Sequence, residues 1–195
     1  NFILANEKAQ KVKRKAISLL ENIGLTKIAK DVKQCKVLAL EVLFTAKSHK
    51  PDVPFRTIVS ENNCWQVFVS RFLQKQLKLL TIDDPYGIKN SSDVVSFLED
   101  NHSVADFFSV DVEDLYYSIP HDELFRSVMT CIEESGEVDF RNATGLSSEN
   151  FLSLLEFYLS ATFIWFENEL FIQRNGVCIG SCVAPALCNI FFIVC

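Results

Sequence analysis

Glycine and proline are scarce, six and five among 195 residues. That excludes collagen-like, silk-like and other low-complexity chains. No two cysteines stand as C-x-x-C, and the seven present (Cys35, Cys64, Cys131, Cys178, Cys182, Cys188 and Cys195) are odd in number. Neither a zinc ribbon nor a disulfide scaffold is therefore favoured. Idle or buried thiols in a reducing compartment are the expectation, and with them an intracellular location, nuclear or cytoplasmic. There is no initiator Met and no signal-peptide layout. Without such a signal, the N-x-S/T matches at Asn90, Asn101 and Asn142 carry little weight. Charge is missing from Val177 to Cys195, a run of nineteen residues that meets the length rule for a membrane helix. Gly180, Ser181, Pro185 and Asn189 interrupt it, its first third reads as a loop, and no membrane partner is expected.

What is present points to a folded domain. Hydrophobic residues make up 49% and charged residues 23%, with seventeen Phe, so a real core is expected and wholesale disorder is excluded. The length suits one domain, or one domain with an extra lobe. A net charge of −6 argues mildly against a nucleic-acid partner. The average hides a split, however. The first fifty residues hold eleven Lys/Arg against four Asp/Glu, and the rest holds eight against twenty-one. Two solvated faces would account for this. So would a basic arm for a polyanion beside an acidic region that needs metal ions to tolerate phosphates.

The patterning is α+β. Residues 5–45 read as helix, broken near Gly24, with Ile17, Leu20, Ile28, Val32 and Leu38 as the apolar positions among lysines. Phe55–Val59 reads as a strand, Cys64–Leu80 as an amphipathic helix, and Asp83–Gly87 as a turn. Ser92 or Asp93 can cap a helix through Leu98. Ala105–Val112 reads as a strand, Asp122–Glu134 as a helix and Gly136–Gly145 as a polar loop. Ser147 or Ser148 opens a helix through Leu159. Thr162–Phe166 and Glu169–Gln173 form a hairpin signal around the weak turn pair Glu167-Asn168. Pro185 suits the first turn of a last helix.

Three segments carry candidate chemistry. In Phe107–Pro120, apolar residues lead to Asp111, placing a carboxylate at a strand end where a hard divalent cation could use it. Tyr116 follows after a turn. In Gln173–Phe191, Gly176 and Gly180 and then Pro185 make a loop feeding a helix, and such loops let backbone approach a ligand. In Lys47–Ser60, Lys47, His49, Lys50 and Arg56 flank a proline-stiffened turn that could grip phosphates. Taken singly, each is as well explained by a turn, a core-helix entry or a solvated charge cluster.

In this order, the three segments resemble the finger and palm motifs of reverse transcriptases. They are most similar to those of Penelope-like retroelements, which carry H-K-P…P-x-R-P-I-V-S, D-V-x-x-L-Y-T-N-I-P and G-x-x-x-G-x-x-x-(S/A)-P-x-x-x-N. The resemblance runs from about Lys47 to Phe191. It implies the fingers and partial palm of a right-hand polymerase, in an α+β fold: a basic helical arm over 1–46, a fingers-like region over 47–104 and a partial palm over 105–195. The implied activity is RNA-directed DNA synthesis, with an RNA or DNA template and primer and deoxynucleoside triphosphates as partners. Asp111 resembles the first catalytic carboxylate, a ligand of two Mg²⁺ (or Mn²⁺) ions, with the Val112 carbonyl as a further ligand. Tyr116 resembles the ring under the incoming sugar, which leaves no room for a 2′-hydroxyl. Arg56, and more weakly Lys50, resemble the cations that meet the triphosphate. Gly180 matches the loop beside the nucleotide, and Pro185 and Asn189 match the helix that positions template and primer.

This chain departs from the pattern in places. Tyr117-Ser118 replaces Thr-Asn, which reads as a surface-level change. Thr57 stands for proline, Ile179 for Met and Cys182 for proline. The larger departure is an absence: no Y/F-x-D-D hairpin follows Pro185, and Asp83-Asp84, the single Asp-Asp pair, reads as a turn. The expectation is a truncated polymerase, inactive alone, that needs the rest of the palm and the thumb of a parent protein and binds its two metal ions only in the complete enzyme. The alternatives are an RNA-dependent RNA polymerase, disfavoured by Tyr116, and a non-catalytic nucleic-acid-binding remnant.

Overall fold

The computed structural model describes residues 2–80, 84, 87–88, 90–101, 106 and 108–194. The chain is α+β. Its N-terminal basic region folds as helices α1 (Ala9–Asn22) and α2 (Thr26–Gln34), parted at Gly24 as expected. Val12, Ala16 and Leu20 of α1, and Ala29 and Val32 of α2, recur at helical spacing and enter the main core. Cations on these helices do two different things. Lys11 and Lys15 pair with Glu7 at 2.9 and 2.8 Å. Lys13 is buried, and its ammonium donates to the carbonyls of Lys33 and Cys35, closing the C-terminus of α2.

The helical reading of 5–45 ends too late. Residues 41–46 form strand β2 (Glu41–Ala46), paired antiparallel with β3 (Phe55–Ser60) from Glu41↔Ser60 to Ala46↔Phe55. A run such as Glu-Val-Leu-Phe-Thr-Ala is ambiguous by periodicity, and the strand partner decides it. The turn between β2 and β3 carries Lys47–Pro54, with Lys47 N–H donating to the Pro54 carbonyl at 2.9 Å.

Helix α3 (Gln66–Leu77) buries Val69, Leu73 and Leu77. Helix α4 (Ser91–Asp100) buries none of its residues and is capped by Asn90, whose side chain accepts from Asp93 N–H at 3.2 Å, rather than by Ser92 or Asp93. Most of the expected 83–87 turn, Asp83 included, lies outside the described residues. So do Ala105 and Phe107 of the expected 105–112 strand. The described remainder, Phe108–Val112, is not a strand. Its alternation marks two faces but supplies no ladder partner, and a strand requires one.

A single helical turn, α5 (Leu115–Ser118), precedes α6 (His121–Ser135). The expected polar loop after it is instead helix α7 (Glu137–Thr144), too short to show apolar periodicity. Its one buried side chain, Phe140, meets Phe151 edge-on at 5.1 Å and anchors the helix. Ser147 caps α8 (Ser148–Leu159). The hairpin of β4 (Phe163–Phe166) and β5 (Glu169–Gln173) turns through Glu167 (φ 49°) and Asn168 (φ 67°), the left-handed pair that a two-residue hairpin demands. A strand with no sequence signal, β1 (Phe2–Leu4), completes the sheet order β1-β5-β4. Helix α9 (Ala184–Val194) packs mainly on α6. No helix among the described residues is long and apolar enough to cross a membrane.

Candidate functional site

The hairpin register shows which edge of β3 is free. Lys47 and Pro54 are a hydrogen-bonded pair, and bonded and non-bonded pairs alternate along an antiparallel ladder. Thr57 and Val59, opposite Phe44 and Val42, therefore point their N–H and C=O groups away from β2. Both other motif segments dock on this outer edge. Val59 N–H donates to the Ile179 carbonyl at 2.8 Å, and the Cys178 thiol lies 3.5 Å from the Val59 carbonyl. The Tyr117 hydroxyl donates to the Thr57 carbonyl at 2.8 Å.

The two docked segments also join each other. Val177 N–H donates to the Tyr116 carbonyl at 2.6 Å, and His121 Nε2–H donates to the Gly176 carbonyl at 2.8 Å. The glycines make this approach possible. A Cβ on Gly176 (φ +73°) would lie 2.2 Å from the Tyr116 carbonyl oxygen, and one on Gly180 (φ +104°) would lie 2.4 Å from that of Val59. Both obstacles are backbone, and both φ values are ones that side-chain-bearing residues rarely adopt. The segments singled out in sequence thus meet at one joint, formed by β3, α5 and the turn over 176–183.

At this joint Tyr116 is half-buried against the core, while Arg56 and Gly180 are exposed; Pro185 and Asn189, on α9 after the turn, are exposed as well. Pro185 and Asn189 stand one turn apart on α9. Lys50 is exposed in the β2–β3 turn, where its N–H donates to the Lys47 carbonyl. Asp111 and Val112 are not brought into the joint. They lie on the exposed run 108–112, where Phe108 is 92% and Val110 82% exposed, and Asp111 makes no hydrogen bond or ion pair among the described residues. A cleft of about 570 Å³ opens beside Tyr117, lined by Asp114, Ile119, Pro120, His121, Asp122 and Asn175 among others.

One sequence reading needs correction here. Tyr117 is not a surface-level change: it is half-buried, bonded to β3 and edge-on to Phe2 at 6.4 Å, and burial pushes its hydroxyl up to about 12. Thr57 in place of proline costs the hairpin nothing, because its N–H faces away from β2 and neither residue type contributes to that ladder.

Sequence reasoning missed the buried polar cluster behind the turn. Glu61 is 4% exposed and accepts from the Tyr158 hydroxyl and from Ser70 Oγ at 2.7 Å. Tyr158 is also bonded to Ser181 Oγ. Burial pushes the Glu61 carboxyl up, opposed by these donors, and Tyr158 is raised well above its ordinary value by burial and by Glu61. The one signal in the sequence was a lone acid directly after a strand, which reads as solvated. The six described cysteines are free, and burial raises the thiols of Cys64 to about 12 and Cys188 to about 11.

Among the described residues, no three His, Cys, Asp or Glu side chains cluster to hold an ion. Mg²⁺ asks for near-octahedral oxygen ligation, and one exposed carboxylate with a neighbouring carbonyl does not supply it. These residues by themselves do not fit the two-ion site.

The class that fold and site define is an α+β chain with a closed backbone joint under a partly cationic surface. No family model, curated protein or solved structure gives a significant match to it.

Proposed function

We propose that this chain is the fingers and first palm elements of a retroelement reverse transcriptase, an RNA-directed DNA polymerase. The observation that carries the reading is the meeting of three segments, far apart in sequence, at one joint through hydrogen bonds to backbone carbonyls. In this reading Arg56, with Lys50, meets the triphosphate of a deoxynucleotide, and the Tyr116 ring bears on its sugar. Gly180 lets the turn approach the templating pair, and Pro185 and Asn189 face template and primer. Asp111 is the carboxylate of the reaction. The described residues do not complete a metal site, so the chain as it stands binds its ligands without extending a primer.

A photoreactive deoxynucleotide, cross-linked to the chain in the presence of a DNA primer on an RNA template, tests this. The label is expected on peptides containing Arg56, Tyr116 or Gly180–Asn189, and only when template is present. Label confined to α4 or α7, or independent of template, would overturn it. The exposed cations Lys8, Arg14, Lys27, Lys30, Lys33 and Lys36 favour a second reading, nucleic-acid binding without nucleotide selection. Template binding with no nucleotide cross-link would select that one.

A further inference from the structure

We propose that Glu61 is the positioning residue of the Gly180 turn, holding it through Tyr158 and Ser181 in the shape that closes the joint. The inference rests on the reading of that turn as part of a nucleotide site, but its structural half stands alone. Gln74 Nε2, from α3, donates to the Cys182 carbonyl at 2.7 Å. The next link is Tyr158 of α8, whose hydroxyl touches both Glu61 and Ser181. Ser181 Oγ in turn accepts from Val183 N–H at 3.3 Å, at the entry to α9. One carboxyl group therefore ties the end of β3, α3, α8 and the turn together.

A buried carboxyl is costly unless its oxygens are satisfied, and here the donors are two hydroxyls. Removing it takes an acceptor from both Tyr158 and Ser70 in a dry interior. A neutral amide can stand in. Ser70 has a second acceptor, the Val67 carbonyl at 3.2 Å, so its hydroxyl can turn to receive an N–H from a glutamine at position 61.

The test is residue-resolved amide hydrogen exchange on Glu61→Ala and Glu61→Gln. Glu61→Ala is expected to speed exchange at Cys182 and Val183 by about tenfold or more, without a matching change at Val12–Leu20 of α1. Glu61→Gln is expected to restore most of the protection. Unchanged exchange at 182–183, or an equal rise in α1, would overturn the proposal, since the second pattern is a general loss of stability. Should Glu61→Ala not fold, Tyr158→Phe must give the same local pattern in weaker form, and its failure to do so would count equally against the proposal. Nucleotide cross-linking on the same variants separates the two readings. Local loosening that leaves template-dependent cross-linking of wild type and variants equal keeps the positioning role and removes the turn from the nucleotide site.

Discussion

The joint at β3 and the run Phe108–Val112 are built on opposite principles. At the joint, backbone of three segments is in direct contact and two glycines stand where a Cβ would meet backbone at 2.2 and 2.4 Å. Along 108–112, and on α4 nearby in sequence, apolar side chains such as Phe97, Phe108 and Val110 are exposed, and α4 buries nothing. Arg56 and the Tyr116 ring thus sit on a scaffold the chain makes for itself, whereas Asp111, the residue with the clearest chemical signal, sits on backbone held by nothing described. A motif residue's chemistry and the fixing of its position are separate properties of a sequence.

The sharpest way to break this contrast is to insert a methyl group into the joint. Gly176→Ala and Gly180→Ala should each destabilise the chain by about 3 kcal/mol or more, since backbone must move and a left-handed φ is lost. Chemical denaturation reads this directly, and a cost under about 1 kcal/mol would mean that the joint is loose. Next in size is the Tyr117 hydroxyl. Tyr117→Phe should cost about 1 kcal/mol, the net value of one hydrogen bond, with faster exchange in β3 and α5. At the other pole, Phe108→Ser with Val110→Ser should change stability by less than about 0.5 kcal/mol, because these side chains are already in water. A larger loss would show that the run is packed.

Glu61 supplies a pH-dependent version of the comparison. Its folded pKa is raised above 4.5, so the folded state holds the proton more tightly than the unfolded state. That contribution to stability is full below 4.5 and is lost as pH rises through the folded pKa. The neighbouring Tyr158, Cys64, Cys178 and Cys182 are themselves raised and stay protonated across this window. The melting temperature of Glu61→Gln should therefore gain on that of the parent chain as pH climbs from 4.5 toward neutrality. A constant difference would mean that Glu61 titrates normally.

Much of the framework was readable from sequence, for physical reasons particular to each element. The apolar spacing in α3, the Ser147 cap and the β4–β5 hairpin are local signals, and they appear where expected. Strand β2 and strand β1 depend on partners distant in sequence, which periodicity does not report. Helix α7 is anchored by its one buried side chain, Phe140 against Phe151, a partner that local periodicity does not report. The joint itself was legible only as three separate segments. Nothing local in Lys47–Ser60 says that the outer edge of β3 receives the Gly180 turn, and nothing in Tyr117-Ser118 says that the tyrosine reaches Thr57. The buried role of Glu61 was invisible for the same reason, since Tyr158 and, through it, Ser181 are 97 and 120 positions away.

The central claim is that the cations displayed by the β2–β3 hairpin beside this joint engage a primed template. Fluorescence anisotropy of a labelled DNA primer on an RNA template, titrated with the chain across a series of salt concentrations, tests it most directly. The account predicts binding that weakens linearly on a log–log plot against salt, and a shallower slope with weaker binding for Lys50→Ala/Arg56→Ala. Absence of binding at low salt, or a double variant with the slope and affinity of the parent chain, would contradict it.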